Sequence, residues 1–113
     1  MGKARKVGDG MVSEGTKNVF ADLGISMSQE DMAKVHIAME ITATIGKTNL
    51  TQSQAAKIMD TDQAKVSAIL RGRLGEFSIG RLIVFLLKLG RDVELHVSRR
   101  NRNRPGALKV KAA

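Results

Sequence analysis

Between Leu50 and Gly72 the chain reads LTQSQAAKIMDTDQAKVSAILRG, and few backbone paths satisfy it. Thr51 is placed to cap a helix beginning at Gln52, on which Ala55, Ala56 and Met59 share one face. Thr61 or Asp62 can cap the next helix, whose apolar set is Val66, Ile69 and Leu70. The linker between them is so short that the two helices must turn tightly and cross steeply. Their backbones then come close, and the contact point on the first helix needs a side chain as small as Ala56. Burial of Val66 and Ile69 leaves Gln63, Ala64, Lys65, Ser67, Ala68 and Arg71 to point elsewhere.

Two readings of this hairpin compete. A helical hairpin within an ordinary bundle gives Ala, Val and Ile at the same spacings. The alternative is a nucleic-acid surface, and the basic end Arg71-Gly72-Arg73 favours it, because such an end would lie beside a phosphate backbone.

The distribution of charge refines that alternative. The net charge is +8, from 19 bases and 11 acids, but nine of the bases lie at the two ends: Lys3, Arg5, Lys6, then Arg99, Arg100, Arg102, Arg104, Lys109 and Lys111. Residues 7–97 keep ten bases against all the acids, a net charge near −1. Basic ends supply salt-dependent affinity for phosphates without choosing a sequence, so any choice falls to the hairpin. The bland reading of such ends is that they are only solvated; RNA or an anionic membrane are lesser alternatives. The chain has no Trp or Tyr, and its three Phe residues lie in apolar contexts. Single strands are held largely by stacking bases on aromatic rings, so this shortage points to duplex DNA.

Around the hairpin the chain reads as one domain, mainly α. Residues 1–17 are expected to form a disordered basic arm, residues 18–97 the domain, and residues 98–113 a flexible basic tail. Asn18 to Gly24 is a short apolar element. Ser28 opens a capping-box pattern with Asp31 at its fourth position, and a long helix follows to Gly46, with Met32, Val35, Ala38, Met39, Thr42 and Ile45 marking one face; the methionines are core filler or, near Met27 and Met32, part of a contact surface. Ser78 can cap a helix from Ile79 to about Leu89 that is apolar nearly all round and stops at Gly90, so burial on two sides is expected. Asp92 to Val97, DVELHV, alternates polar and apolar and is the one clear strand pattern. A lone strand leaves an unpaired edge, so pairing with the same strand of a second copy is the economical outcome; a hairpin with residues 18–21 is the alternative.

Chemistry finds little support. Without cysteine there is neither a disulfide scaffold nor a Cys-based zinc site. Gly46-Lys47-Thr48 resembles the end of a phosphate-binding loop, but the glycine expected five residues earlier is Ile41. His36 and His96 lack the spacing of a metal site, and no serine carries a nucleophile motif. The expectation is a protein without catalytic residues, metal or cofactor. No apolar run approaches the roughly 20 residues that span a bilayer, and the start lacks a secretory signal, so a soluble cytoplasmic protein is expected.

The hairpin resembles the helix-turn-helix of phage repressors, Cro proteins and Xre-type regulators. In these, Gln, three variable residues, Ala, a turn and then Val or Ile at two later positions recur, as Gln52, Ala56, Val66 and Ile69 do here. The family usually has Gly at the turn where this chain has Asp60, a residue that tolerates the left-handed conformation better than most. From Asn18 to Val97 the chain also resembles the compact HigA-like antitoxins of this type, with NVFADLG, DQAKVSAILRGRLGEFSIGRLI and LGRDVEL as successive elements. The resemblance implies a compact four- to five-helix bundle with a helix-turn-helix and one C-terminal dimerisation strand. It implies either a sequence-specific regulator of double-stranded DNA, repressing its own operon as a homodimer through Asp92–Val97 and the Ile79–Leu89 helix, or an antitoxin that mainly neutralises a RelE-like toxin. By position it places Gln52 near a phosphate, and Gln63, Ala64, Lys65, Ser67 and Ala68 on the second helix at the DNA. Gln63 would pair with adenine and Lys65 reach guanine or phosphate, Ala64 and Ala68 would offer apolar contact, and Arg71 and Arg73 would clamp phosphates.

Overall fold

Among the described residues the chain forms four helices joined by short turns: α1 (Met27–Lys47), α2 (Gln52–Met59), α3 (Gln63–Leu70) and α4 (Ile79–Lys88). The computed structural model describes residues 27–99 and 103–112, with the backbone alone for Met27 and Ser28. The arm over residues 1–17 and the apolar element at residues 18–24 lie outside the described residues.

Local chemistry places the helix starts. Thr51 caps α2 in a reciprocal box: its hydroxyl accepts from the Gln54 N–H at 3.0 Å, and the Gln54 side chain accepts from the Thr51 N–H at 2.9 Å. Asp62 caps α3 through the Lys65 N–H at 2.8 Å, and Ser78 caps α4 through the Arg81 N–H at 3.0 Å. α1 begins at Met27, ahead of the expected cap Ser28, so its cap position falls outside the described residues.

The four helix ends share one solution. Asn49, Asp60, Gly72 and Gly90 follow their helices in the left-handed region, at φ 55°, 59°, 79° and 93°. The next residue donates its N–H back to a last-turn carbonyl: Leu50 to Ile45 at 3.2 Å, Thr61 to Ala56 at 2.9 Å, Arg73 to Ala68 at 2.8 Å and Arg91 to Leu86 at 3.0 Å. This closure satisfies carbonyls that a helix end leaves free. Two of the four residues are glycines; Asn49 and Asp60 are the non-glycine types that enter this region most readily.

α1 is the spine, packed against α4 and α3, while α2 packs on α3 and α4. The core gathers Ile37, Ile41 and Ile45 from α1, Ala55, Ala56 and Met59 from α2, Val66 and Ile69 from α3, and Leu82, Phe85 and Leu86 from α4. Leu74 and Phe77 in the α3–α4 loop close it, and the Phe77 and Phe85 rings meet edge to face with centroids 6.1 Å apart. α4 buries Leu82, Phe85 and Leu86, leaves Ile79, Ile83 and Val84 half-buried, and exposes Leu87.

The inward face of α1 differs from the face marked in the sequence. Ala38 and Ile45 are buried, but Met32, Val35 and Met39 are 52%, 40% and 60% exposed, and Thr42 faces solvent. The buried stripe runs instead through Ala33, Ile37, Ala38, Ile41, Thr44 and Ile45. α1 carries two apolar stripes at helical spacing, and periodicity alone does not say which one a neighbour covers. α3 and α4 cover the stripe bearing Ile37 and Ile41. The turn N-terminal to it buries Glu30 and Lys34 as an ion pair 3.8 Å apart.

Arg91, just past α4, fixes the far end of this packing. Its guanidinium donates to Thr44 Oγ1 at 2.7 Å and Glu40 Oε1 at 3.0 Å, tying the α4 terminus to the middle of α1. Residues 92–99 then run exposed, without regular secondary structure in the single chain. Part of the basic tail lies against α1: the Leu108 N–H donates to Gln29 Oε1 at 2.7 Å, and Val110 packs on the core's edge beside His36, Met39 and Glu40.

Candidate nucleic-acid interface

The α2–α3 turn is formed as the hairpin requires. Asp60 takes φ 59°, ψ 50°, which is left-handed helical geometry, and Ala55 and Ala56 are buried where α2 meets α3. Small side chains at that contact let the backbones approach. The Asp60 carboxylate also meets Lys88 Nζ at 3.4 Å, a bridge from the turn to the end of α4.

Val66 and Ile69 anchor α3 inward. At about 100° per residue, the opposite face carries Ala64, Ser67, Ala68 and Arg71, with Gln63 and Lys65 on its flanks. Gln63, Ala64 and Arg71 are exposed; Lys65, Ser67 and Ala68 are half-buried, and Ala68 also packs against the core. The outward face of α3 is thus nearly flat, built of small side chains between longer ones at its two ends. Such a face lets the helix backbone lie deep in a groove about 12 Å wide, and leaves hydrogen-bonding reach to Gln63 and Lys65.

Lys65 is engaged in the free protein, with Nζ 3.3 Å from Asp62 Oδ2. An exposed pair at this spacing is weak and does not hold the ammonium back from a phosphate or base. Asp62 faces solvent as a cap, and its pKa lies below the usual carboxylate value because the Lys65 N–H, and then the Lys65 side chain, donate to it. Arg71 ends α3 and Arg73 follows the left-handed Gly72; both guanidinium groups are exposed. Gln52, the first residue of α2, is half-buried. The structure therefore brings Gln63, Ala64, Lys65, Ser67, Arg71 and Arg73 to one helix and its exit, with Gln52 on the preceding helix. Across residues 50–73 four bases oppose two acids, so the surface is mildly basic.

Sequence reasoning missed the supports behind this surface. The Asp60–Lys88 and Arg91–Glu40 pairs join residues far apart in the chain, and no short-range spacing announces them. Phe77 and Phe85 are buried, so neither offers a ring to a base; Phe20 lies outside the described residues. No described helix is long and apolar enough to cross a membrane.

Comparison with known proteins agrees with this geometry. Residues 19–98 match the model of a helix-turn-helix domain family. A solved structure assigned to the XRE family of transcriptional regulators superposes with a TM-score of 0.71 at 34% identity, covering 78% of this chain and 100% of its own. A search of curated proteins found no match. With the α2–α3 hairpin, its closed turn and the match over residues 19–98, the chain belongs to the XRE-type helix-turn-helix family of DNA-binding transcriptional regulators.

Proposed function

We propose that this protein is a sequence-specific regulator of double-stranded DNA that acts in the cytoplasm as a homodimer and represses its own operon. The observation that carries the reading is the exposed face of α3, held by a turn in the left-handed conformation and flanked by Gln63 and Lys65 at one end and Arg71 and Arg73 at the other. Gln63 and Lys65 read bases. Ala64 and Ser67 let the helix seat closely, Ala68 contributes only its rim, and Arg71, Arg73 and Gln52 hold phosphates. Two copies, joined through residues 92–97 and α4, present two such helices to a two-fold site.

The test is a salt-dependent gel shift on the chain's own upstream region against random duplex. Gln63→Ala should reduce discrimination between the two by about 1–3 kcal/mol, whereas Arg73→Ala should weaken both alike and lower the salt slope by about one. Equal losses on specific and random DNA from both changes would sink the assignment.

A second reading, an antitoxin that binds a RelE-like toxin, has one observation in its favour. Val35, Met39, Ile69, Leu70 and Leu74 line an apolar groove between α1 and the exit of α3, beside the exposed Met32. Co-purification with the product of an adjacent toxin gene, lost on Met39→Glu with DNA binding intact, would favour it.

A further inference from the structure

The segment that follows α4 is self-complementary in a way that specifies its partner. In a β-strand, Val93, Leu95 and Val97 share one face and Asp92, Glu94, His96 and Ser98 the other. His96 Nε2 already lies 3.8 Å from Glu94 Oε1, so these two side chains share a side in the single chain. The apolar set is poorly covered: Val93 is 36% exposed, Leu95 86% and Val97 94%. We infer that these residues pair with the same segment of a second copy, antiparallel, with Leu95 on the two-fold axis. The inference rests on the homodimer reading above and adds its register.

Residues directly opposite each other in an antiparallel pair share a face, so the axis must pass between two copies of one residue. Three residues lie near the middle of the segment. With Glu94 on the axis, two carboxylates face each other and Val97 faces Arg91, which Glu40 and Thr44 already hold. With His96 on the axis, imidazole faces imidazole and Val93 faces Arg99. With Leu95 on the axis, Leu95 meets Leu95, each Val93 meets Val97, each Glu94 meets His96 and each Asp92 meets Ser98. In this register alone every apolar residue of the segment finds an apolar partner and no like charges oppose one another. A two-stranded ribbon does not stand alone in water, so its six apolar side chains must also lie on helical surface; Leu87, exposed near the end of α4, offers it.

The chain has no cysteine, so single introduced thiols report the axis directly. Leu95→Cys, Glu94→Cys and His96→Cys in the full chain, oxidised in a glutathione buffer, are read as covalent dimer on a non-reducing gel. Only the residue on the axis lies opposite its own copy at disulfide distance, so Leu95→Cys should cross-link at least about tenfold faster than the other two. Each of the three positions is exposed, so folding should survive. As a second route, Val93→Cys mixed with Val97→Cys should cross-link as a mixed pair faster than either alone. Fastest cross-linking at Glu94→Cys or His96→Cys in a protein that sediments as a dimer overturns the register and leaves the dimer standing. A wild-type chain that sediments as a monomer at the assay concentrations removes both.

Discussion

Asp60 stands where the helix-turn-helix family usually has glycine, and its conformation makes a sharp prediction. At φ 59° and ψ 50° the Cβ of a non-glycine residue crowds the following carbonyl, at a cost of about 1–2 kcal/mol for an ordinary side chain. Asp recovers part of this because its short polar side chain bonds locally. Its pair with Lys88 at 3.4 Å adds little, since the Asp60 side chain is 84% exposed and salt screens such a pair. Asp60→Gly removes the crowding but adds about 0.5–1 kcal/mol of unfolded-chain entropy, so it should leave stability nearly unchanged. Asp60→Ala keeps the crowding without the compensation and should lose about 1 kcal/mol, or about 4–8 °C in Tm for a domain of this size. Asp60→Val should lose more, because a β-branched side chain tolerates positive φ least. The assay is thermal and urea unfolding by circular dichroism, repeated in high salt to remove the Lys88 contribution. If Ala equals Asp and Gly alike, the turn is not left-handed at this residue, and the close α2–α3 crossing loses its explanation.

The buried stripe of α1 is tested by Ile41→Ala, which should cost about 2–5 kcal/mol, against Met39→Ala, which should stay within about 0.5 kcal/mol; a larger loss from Met39→Ala than from Ile41→Ala would mean that α1 turns its other stripe to the core. Arg91→Ala removes the donors to Thr44 and Glu40 and should cost about 1 kcal/mol, with a double-mutant cycle against Glu40→Ala giving a coupling of a few tenths. The lowered pKa of Asp62 makes a pH prediction. Its stabilising effect is fully present above the ordinary carboxylate pKa of about 3.9 and is lost as pH falls through the lower folded-state value. Asp62→Asn, which keeps the cap's acceptor, should flatten that acid limb of the stability curve while leaving neutral-pH helicity intact.

What could be read from the residues was what is decided within a few positions of chain. Thr51, Asp62 and Ser78 cap their helices because each needs only its own hydroxyl or carboxylate and an N–H three residues on. The ends at Asp60, Gly72 and Gly90 follow from which side chains enter the left-handed region. With those boundaries and the Ala56, Val66 and Ile69 pattern, the hairpin and its outward residues were legible. Matters of contact across the chain were not. Two apolar stripes wind along α1, and the packing of α3 and α4 against Ile37 and Ile41 chose between them and left Met32, Val35 and Met39 in solvent. Glu30 and Lys34 look like surface residues by type, yet they form a buried pair, and their i, i+4 spacing does not distinguish a buried pair from a solvated one. Arg91 read only as part of a helix exit until the α4 terminus came down beside Glu40 and Thr44, 51 and 47 residues earlier. Spacing encodes interactions within one or two helical turns; which faces meet depends on crossing angles that no local pattern records.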